Sequence, residues 1–118
     1  MYSIHLCGLG GQGILTLSKI IARCSEKQGM KAVLFHSKGM AQRGGRVTSD
    51  IRISEDPERE LASRIPEGGA DIVAGMELGE AANSFPCFKR GGLALLHSYA
   101  AIPTPVALDR KRRFTDAE

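Results

Sequence analysis

The hydrophobic pattern changes period several times along the chain, and each change marks an element. Residues 3–7 alternate, Ile4 and Leu6 against His5 and Cys7, and stop at Gly8. This predicts a short strand with an abrupt end. Gly8, Gly10, Gly11 and Gly13 follow, and then the period lengthens. Ile14, Leu17, Ile21 and Cys24 fall on one helical face widened by Leu15 and Ile20, while Lys19, Arg23, Glu26 and Lys27 lie off it. This predicts an amphipathic helix that Gly29 ends in a left-handed conformation. Residues 31–35 predict a second apolar strand. Strand, glycine-rich turn, helix and strand make a βαβ unit, whose crossover is expected to be right-handed.

Residues 36–45 then form a polar, glycine-rich loop. Val47, Ser49, Ile51 and Ile53 alternate with Thr48, Asp50 and Arg52, predicting a strand with one buried and one wet face, antiparallel or near a sheet edge. Asp56-Pro57 predicts the start of a short helix with Leu61, Ala62 and Ile65 facing inward, broken by Pro66-Glu67-Gly68-Gly69. Residues 71–75 predict a buried strand. Residues 77–85 predict a weak helix, weakened further by Gly79 and ended by Pro86. Gly91-Gly92 predicts a turn, residues 93–97 another buried strand, and the stretch with Pro103 and Pro105 an extended tail. Without a repeat or linker, residues 1–118 are read as a single domain. Its alternating elements imply an α/β fold: a three-layer, Rossmann-like domain with a mostly parallel sheet. In such sheets ligands sit beyond the carboxyl ends of the strands. Both glycine loops leave strands there, so they are expected side by side at one edge.

Composition narrows the class. A chain of 118 residues fits one domain, and burying roughly two-thirds of its unfolded surface gives it a core without disulfide or metal staples. Its 42% hydrophobic and 25% charged residues fit a globular protein. No apolar run approaches the roughly 20 residues of a membrane span, and the N-terminus lacks a signal-peptide pattern; a cytoplasmic protein without membrane contact is expected. The net charge of +3 arises in the tail, since 12 basic residues face 11 acidic ones through Asp109. The run Arg110, Lys111, Arg112, Arg113 reads either as a solvated end or as a contact for a partner or polyanion. With Trp absent and aromatics at 5%, there is no aromatic-and-basic stripe for nucleic acid. Cys7, Cys24 and Cys87 are odd in number and widely spaced, which argues for a reducing compartment. Three cysteines do not supply the four thiolates of an iron–sulfur cluster. Cys7 and Cys24, in apolar surroundings, are expected in the core.

Two motifs carry candidate chemistry. Gly8-Leu9-Gly10-Gly11-Gln12-Gly13 matches GxGxxG between a strand and a helix. Glycines there admit positive φ and close backbone approach, and the helix N-terminus offers N–H groups to an anion. Gly8, Gly10, Gly11, Gln12 and Gly13 are therefore candidate cofactor-binding residues. A dinucleotide site also needs an acid near the end of the second strand. His36 and Ser37 stand there, which disfavours NAD and leaves an NADP variant through Lys38. A phosphate or pyrophosphate of another ligand, a partner's backbone, and a turn built only for close packing are the other readings. The second loop, Gly39-Met40-Ala41-Gln42-Arg43-Gly44-Gly45, holds one fixed charge, with Arg43 able to grip a carboxylate or phosphate. Gly39, Met40, Gln42, Arg43 and Gly44 join the candidate set; a solvated connection is the alternative. His5, inside a strand, reads as structural. His36 and His97 end strands at the ligand edge. No Ser/His/Asp order, carboxylate pair or HxxxH builds a self-sufficient catalytic site, and no catalytic or metal-binding residue is assigned.

GLGGQGI after one strand and GMAQRGG after the next resemble the gamma domain of 2-oxoacid:ferredoxin oxidoreductases. The second loop resembles most the small subunit of the indolepyruvate:ferredoxin branch, since the pyruvate and 2-oxoglutarate branches carry a loop more like YGPEMRGG. Residues 70–73, Lys89-Arg90-Gly91-Gly92 and the Pro103/Pro105 stretch follow the same pattern. Members of the family continue past that stretch, so the chain is expected to lack C-terminal elements. Ser37-Lys38 stands where related sequences have Val-His. The resemblance implies a non-autonomous subunit, inactive alone or homodimeric in isolation. Thiamine diphosphate and 4Fe–4S clusters would belong to a larger partner, ferredoxin would be reached through that partner, and coenzyme A would be the co-substrate admitted beside the thiamine site. The implied reaction is oxidative decarboxylation of an arylpyruvate to an acyl-CoA, with electrons passed to ferredoxin. Two other classes stand beside it: a free-standing NADP- or FAD-binding module, and a non-catalytic assembly protein on the same fold.

Overall fold

The computed structural model describes residues 1–38 and 45–98; the expected contacts Gly39, Met40, Gln42, Arg43 and Gly44, the Pro103/Pro105 stretch and the basic run lie outside the described residues. The elements are β1 (Tyr2–Leu9), α1 (Ile14–Lys27), β2 (Lys31–Lys38), β3 (Arg46–Ser54), β4 (Ala70–Gly75), α2 (Leu78–Asn83), a single 3-10 turn (Phe85–Cys87) and β5 (Phe88–Leu96). The strands form one sheet in the order β2-β3-β1-β4-β5. β1 is parallel to β4, and β4 to β5, while β3 is antiparallel to both β1 and β2. Four of the five strands thus point one way, as the α/β reading requires. The βαβ unit is present, but β3 lies between its two strands.

The alternation in β3 correctly signals an antiparallel strand. It does not place that strand at an edge, and its polar face is not wet. Asp50 and Arg52 are buried along with Ile51 and Ile53. The cover is the segment 55–69, and this is why the helix expected from Asp56-Pro57 is absent. Its backbone groups serve the buried polar side chains instead: Arg52 donates to Ala62 O and Arg64 O, and Ile65 N donates to Asp50 Oδ2. Lys31 Nζ donates to Arg59 O, and the Arg64 guanidinium lies over the Phe35 ring, 5.1 Å from its centroid. Of the three residues expected inside, Ile65 is buried, Leu61 is half-buried and Ala62 is exposed.

α1 covers the other face, where Leu6, Ile14, Val47, Ile51 and Ile53 form a core. Its buried stripe is Ile14, Ser18, Ala22 and Ser25, rotated from the expected one. Small residues let the helix lie close to the sheet, and the serines satisfy themselves on helical carbonyls (Ser18 to Leu15 O, 2.7 Å; Ser25 to Ile21 O, 2.9 Å). The larger Leu17 and Ile21 pack from the flanks. Cys24 and Ile20 are exposed, so the core position expected for Cys24 is corrected, while Cys7 is fully buried. Gly29 (φ 82) ends the helix as expected, with Met30 N on Ser25 O and Gly29 N on Glu26 O, the two bonds of a Schellman motif.

α2 is short and contains Gly79, yet forms because Glu77 caps it twice, accepting from Gly79 N (2.9 Å) and Glu80 N (2.8 Å). It packs on β4 so closely that a Cβ on Gly75 would lie 2.6 Å from Ala81 Cβ. Gly91-Gly92 makes no turn. It lies inside β5, where the register against β4 shifts and Gly91 takes φ 82. β5 is an edge strand whose Leu93 and Leu95 are exposed, a correction of the buried strand expected there. The expectation came from apolar content alone, which does not distinguish an edge from a centre.

Candidate functional site

The carboxyl end of β1 runs into a tight turn. Gln12 N donates to Leu9 O (3.2 Å), and Gly11, at the third position, has φ 90, the left-handed value a type II turn requires there. Gly13 caps α1 at φ 77 and ψ 20 and contributes no side chain. The first-turn N–H groups of Ile14, Leu15 and Thr16 have no intrahelical acceptor, and the first turn carries no acidic residue. β2 ends at the same edge because it points with β1. Gly10 N donates to Gly45 O (2.9 Å), which ties the first glycine loop to the flank of the second. Between these parts lies a cavity of about 610 Å³, lined by the first loop, the start of α1, Lys38, Arg46 and Val47. Lys38 and a helix N-terminus therefore border one space, with Arg46 at its margin and its guanidinium on Glu80, which favours an anion.

Arg46 opens β3 opposite Leu9 and pairs with Glu80 of α2 (Nε–Oε2 3.2 Å). Burial pushes the Glu80 carboxyl up and Glu77 adds to the push, while Arg46 and the Asn83 side chain oppose it. Burial likewise raises the Cys7 and Cys87 thiols, so neither is a thiolate nucleophile at neutral pH. Deeper under α2, His5 Nδ1 donates to Asp50 Oδ1 (2.6 Å) and Nε2 meets Ser84 Oγ (3.0 Å). The order Asp, imidazole, hydroxyl has the look of a catalytic relay. His5 and Ser84 are 4% and 1% exposed, however, and no substrate reaches them. The network clips β1, β3, segment 55–69 and the end of α2 together, the structural role expected for His5.

The structure brings Gly10, Gly11 and Gly13 to the cavity wall. Gly8 and Gln12 stand behind it: Gln12 turns inward, accepting from Leu9 N (2.7 Å) and donating to Met76 O (3.2 Å). His36 holds Ser49 Oγ (3.0 Å), and His97 continues the ladder through its N–H on Gly75 O. Arg46 was missed from sequence. Its signal was its place, the first residue of a strand directly after a glycine loop. Cys7 and Cys24 lie on opposite faces of the sheet, so the thiols do not fit a cluster.

The model of the family described as pyruvate ferredoxin/flavodoxin oxidoreductase matches residues 3–117. An indolepyruvate oxidoreductase subunit IorB of Archaeoglobus fulgidus is 39% identical over 104 residues, 88% of this chain and 50% of the relative. That of Methanothermobacter thermautotrophicus is 38% identical over 102 residues, 86% and 50%. The chain thus spans about half the length of these relatives. A keto/oxoacid ferredoxin oxidoreductase gamma subunit from Geobacter sulfurreducens superposes with a TM-score of 0.65 at 27% identity, covering 83% of this chain and 52% of that one. A 2-oxoglutarate:ferredoxin oxidoreductase from Magnetococcus marinus, solved with coenzyme A bound, shares the fold with a TM-score of 0.71 at 18% identity, over 86% of this chain and 17% of that one. By the extent of these matches, the chain belongs to the pyruvate ferredoxin/flavodoxin oxidoreductase family.

Proposed function

We propose that the chain serves as the small, non-autonomous subunit of a 2-oxoacid:ferredoxin oxidoreductase of the indolepyruvate type, and that its cavity receives the phosphates of coenzyme A. The observation that carries the ligand reading is that Lys38 and the α1 N-terminus border one space at the carboxyl edge of the sheet, with Arg46 also in its lining. The IorB relatives support the branch.

The residues present fit a phosphorylated co-substrate. Coenzyme A, when bound, supplies the thiol that accepts the acyl group. The amides at the start of α1 and the two cations bind and orient its anionic groups, and Arg46 is shared with Glu80. In this reading thiamine diphosphate and the clusters belong to the larger partner. The NADP alternative draws on Lys38 in the cavity wall. The sheet order counts against it: a dinucleotide fingerprint needs the second strand beside the first, and here β3 intervenes.

The test is co-expression with a large-subunit candidate and assay of arylpyruvate- and CoA-dependent dye reduction. Activity only with both chains supports the subunit reading. A small chain that never associates with the large one, and instead binds NADPH, overturns it.

A further inference from the structure

We infer that Gln12 is a positioning residue: its carboxamide is inserted between β1 and β4 like an extra peptide unit, and this wedge opens the edge and sets the glycine turn for its ligand. β1 and β4 are parallel up to Cys7 and Gly75, and one further rung follows, Met76 N to Cys7 O (2.9 Å). In an uninterrupted parallel ladder, the residue that donates to Cys7 O accepts in turn from the N–H two residues on, that of Leu9. The rung is not made directly. Leu9 N donates to Gln12 Oε1 (2.7 Å), and Gln12 Nε2 donates to Met76 O (3.2 Å). One side chain replaces one hydrogen bond with two in series, keeping the ladder's polar groups satisfied while the strands part.

Two details fit a wedge better than a ligand contact. Both ends of the carboxamide are engaged, and Gln12 is absent from the residues lining the cavity. Leu9 is held by Gln12 at both its N–H and its C=O, through side chain and backbone respectively, so the turn is closed twice. Gly8 is shaped to the same device, since a Cβ there would lie 2.6 Å from Gln12 Oε1, 3.1 Å from Ile14 Cδ1 and 3.2 Å from Met76 Cβ. Gln12 thus acts on the ligand through the turn it holds, and this role rests on the reading of the cavity as an anion site.

The experiment uses the full chain, Gln12→Met, inorganic pyrophosphate as the probe and NMR as the structural readout. In the unsubstituted protein a scalar coupling is expected across the hydrogen bond from the Leu9 amide nitrogen to Gln12 Cδ. Pyrophosphate is expected to bind about tenfold more weakly to Gln12→Met, the size of one misplaced charge-assisted contact, with a lowered urea midpoint, since Leu9 N and Met76 O lose their side-chain partner. Should Gln12→Met not fold, Gln12→Glu, which sets a second acceptor against Met76 O, takes its place with the same expectation. Absence of the coupling overturns the wedge. A coupling with unchanged affinity in the variant overturns the positioning role alone. A coupling in a parent protein that does not bind pyrophosphate overturns the anion reading, and the positioning role with it.

Discussion

Glu80 and Asp71 respond to pH in opposite directions. The folded Glu80 carboxyl titrates above its ordinary value, so the folded state binds the proton more readily than the unfolded chain. Its contribution to stability therefore rises as pH falls through that window and is lost as pH rises. For Asp71, partial desolvation pulls upward but is outweighed by the Ser3 amide and Lys89, so the carboxyl stays low. Its contribution is present above the unfolded value and is lost in acid. Glu80→Gln removes the first dependence: urea midpoints of parent and variant should differ at neutral pH and draw together as pH falls. The same substitution frees Arg46, so pyrophosphate should bind the variant more tightly. Asp50→Ala leaves His5 Nδ1 and Ile65 N without their acceptor and should cost about 3 kcal/mol in urea unfolding. The residue types were plain in the sequence, and the glycine loop was legible from spacing alone. The partners were not, because His5, Asp50 and Ser84 meet only through the sheet register and the return of segment 55–69.

Elements were legible where the chain's own pattern determines them. β1, the glycine turn, α1 with its Gly29 end, and β4 follow local signals. Two of the misreadings share a cause, which is tertiary demand overriding local preference. Segment 55–69 gives up a helix because Arg52 and Asp50 need its backbone. The stripe of α1 rotates to small residues because the helix lies close to the sheet. Two substitutions separate these effects. Gly75→Ala places a methyl group against Ala81 and should cost roughly 1–3 kcal/mol in urea unfolding. Leu95→Ser, on the exposed edge strand, should stay within about 0.5 kcal/mol. A large loss from Leu95→Ser would show that β5 is covered in solution.

The whole molecule places its two faces in different roles. α1 seals an apolar core on one side of the sheet, and α2 with segment 55–69 covers a second apolar cluster and the His5–Asp50 network on the other. Both layers meet the cavity at one edge, α1 through its N-terminus and α2 through the Arg46–Glu80 pair. The directions of the strands give that edge, where the first glycine turn meets Gly45. The insertion of β3 between β1 and β2 was not legible in the sequence, since strand order is a long-range property. The account stands most directly on Lys38 and Arg46. In the proposed complex, reconstituted with a large-subunit candidate, KM for CoA and for the 2-oxoacid would be measured for the parent and for Lys38→Glu and Arg46→Glu. The expected result is a rise of about tenfold or more in KM for CoA, with KM for the 2-oxoacid unchanged, as the loss of a charge-assisted phosphate contact requires. Unchanged CoA dependence in both variants, with assembly intact, would contradict it.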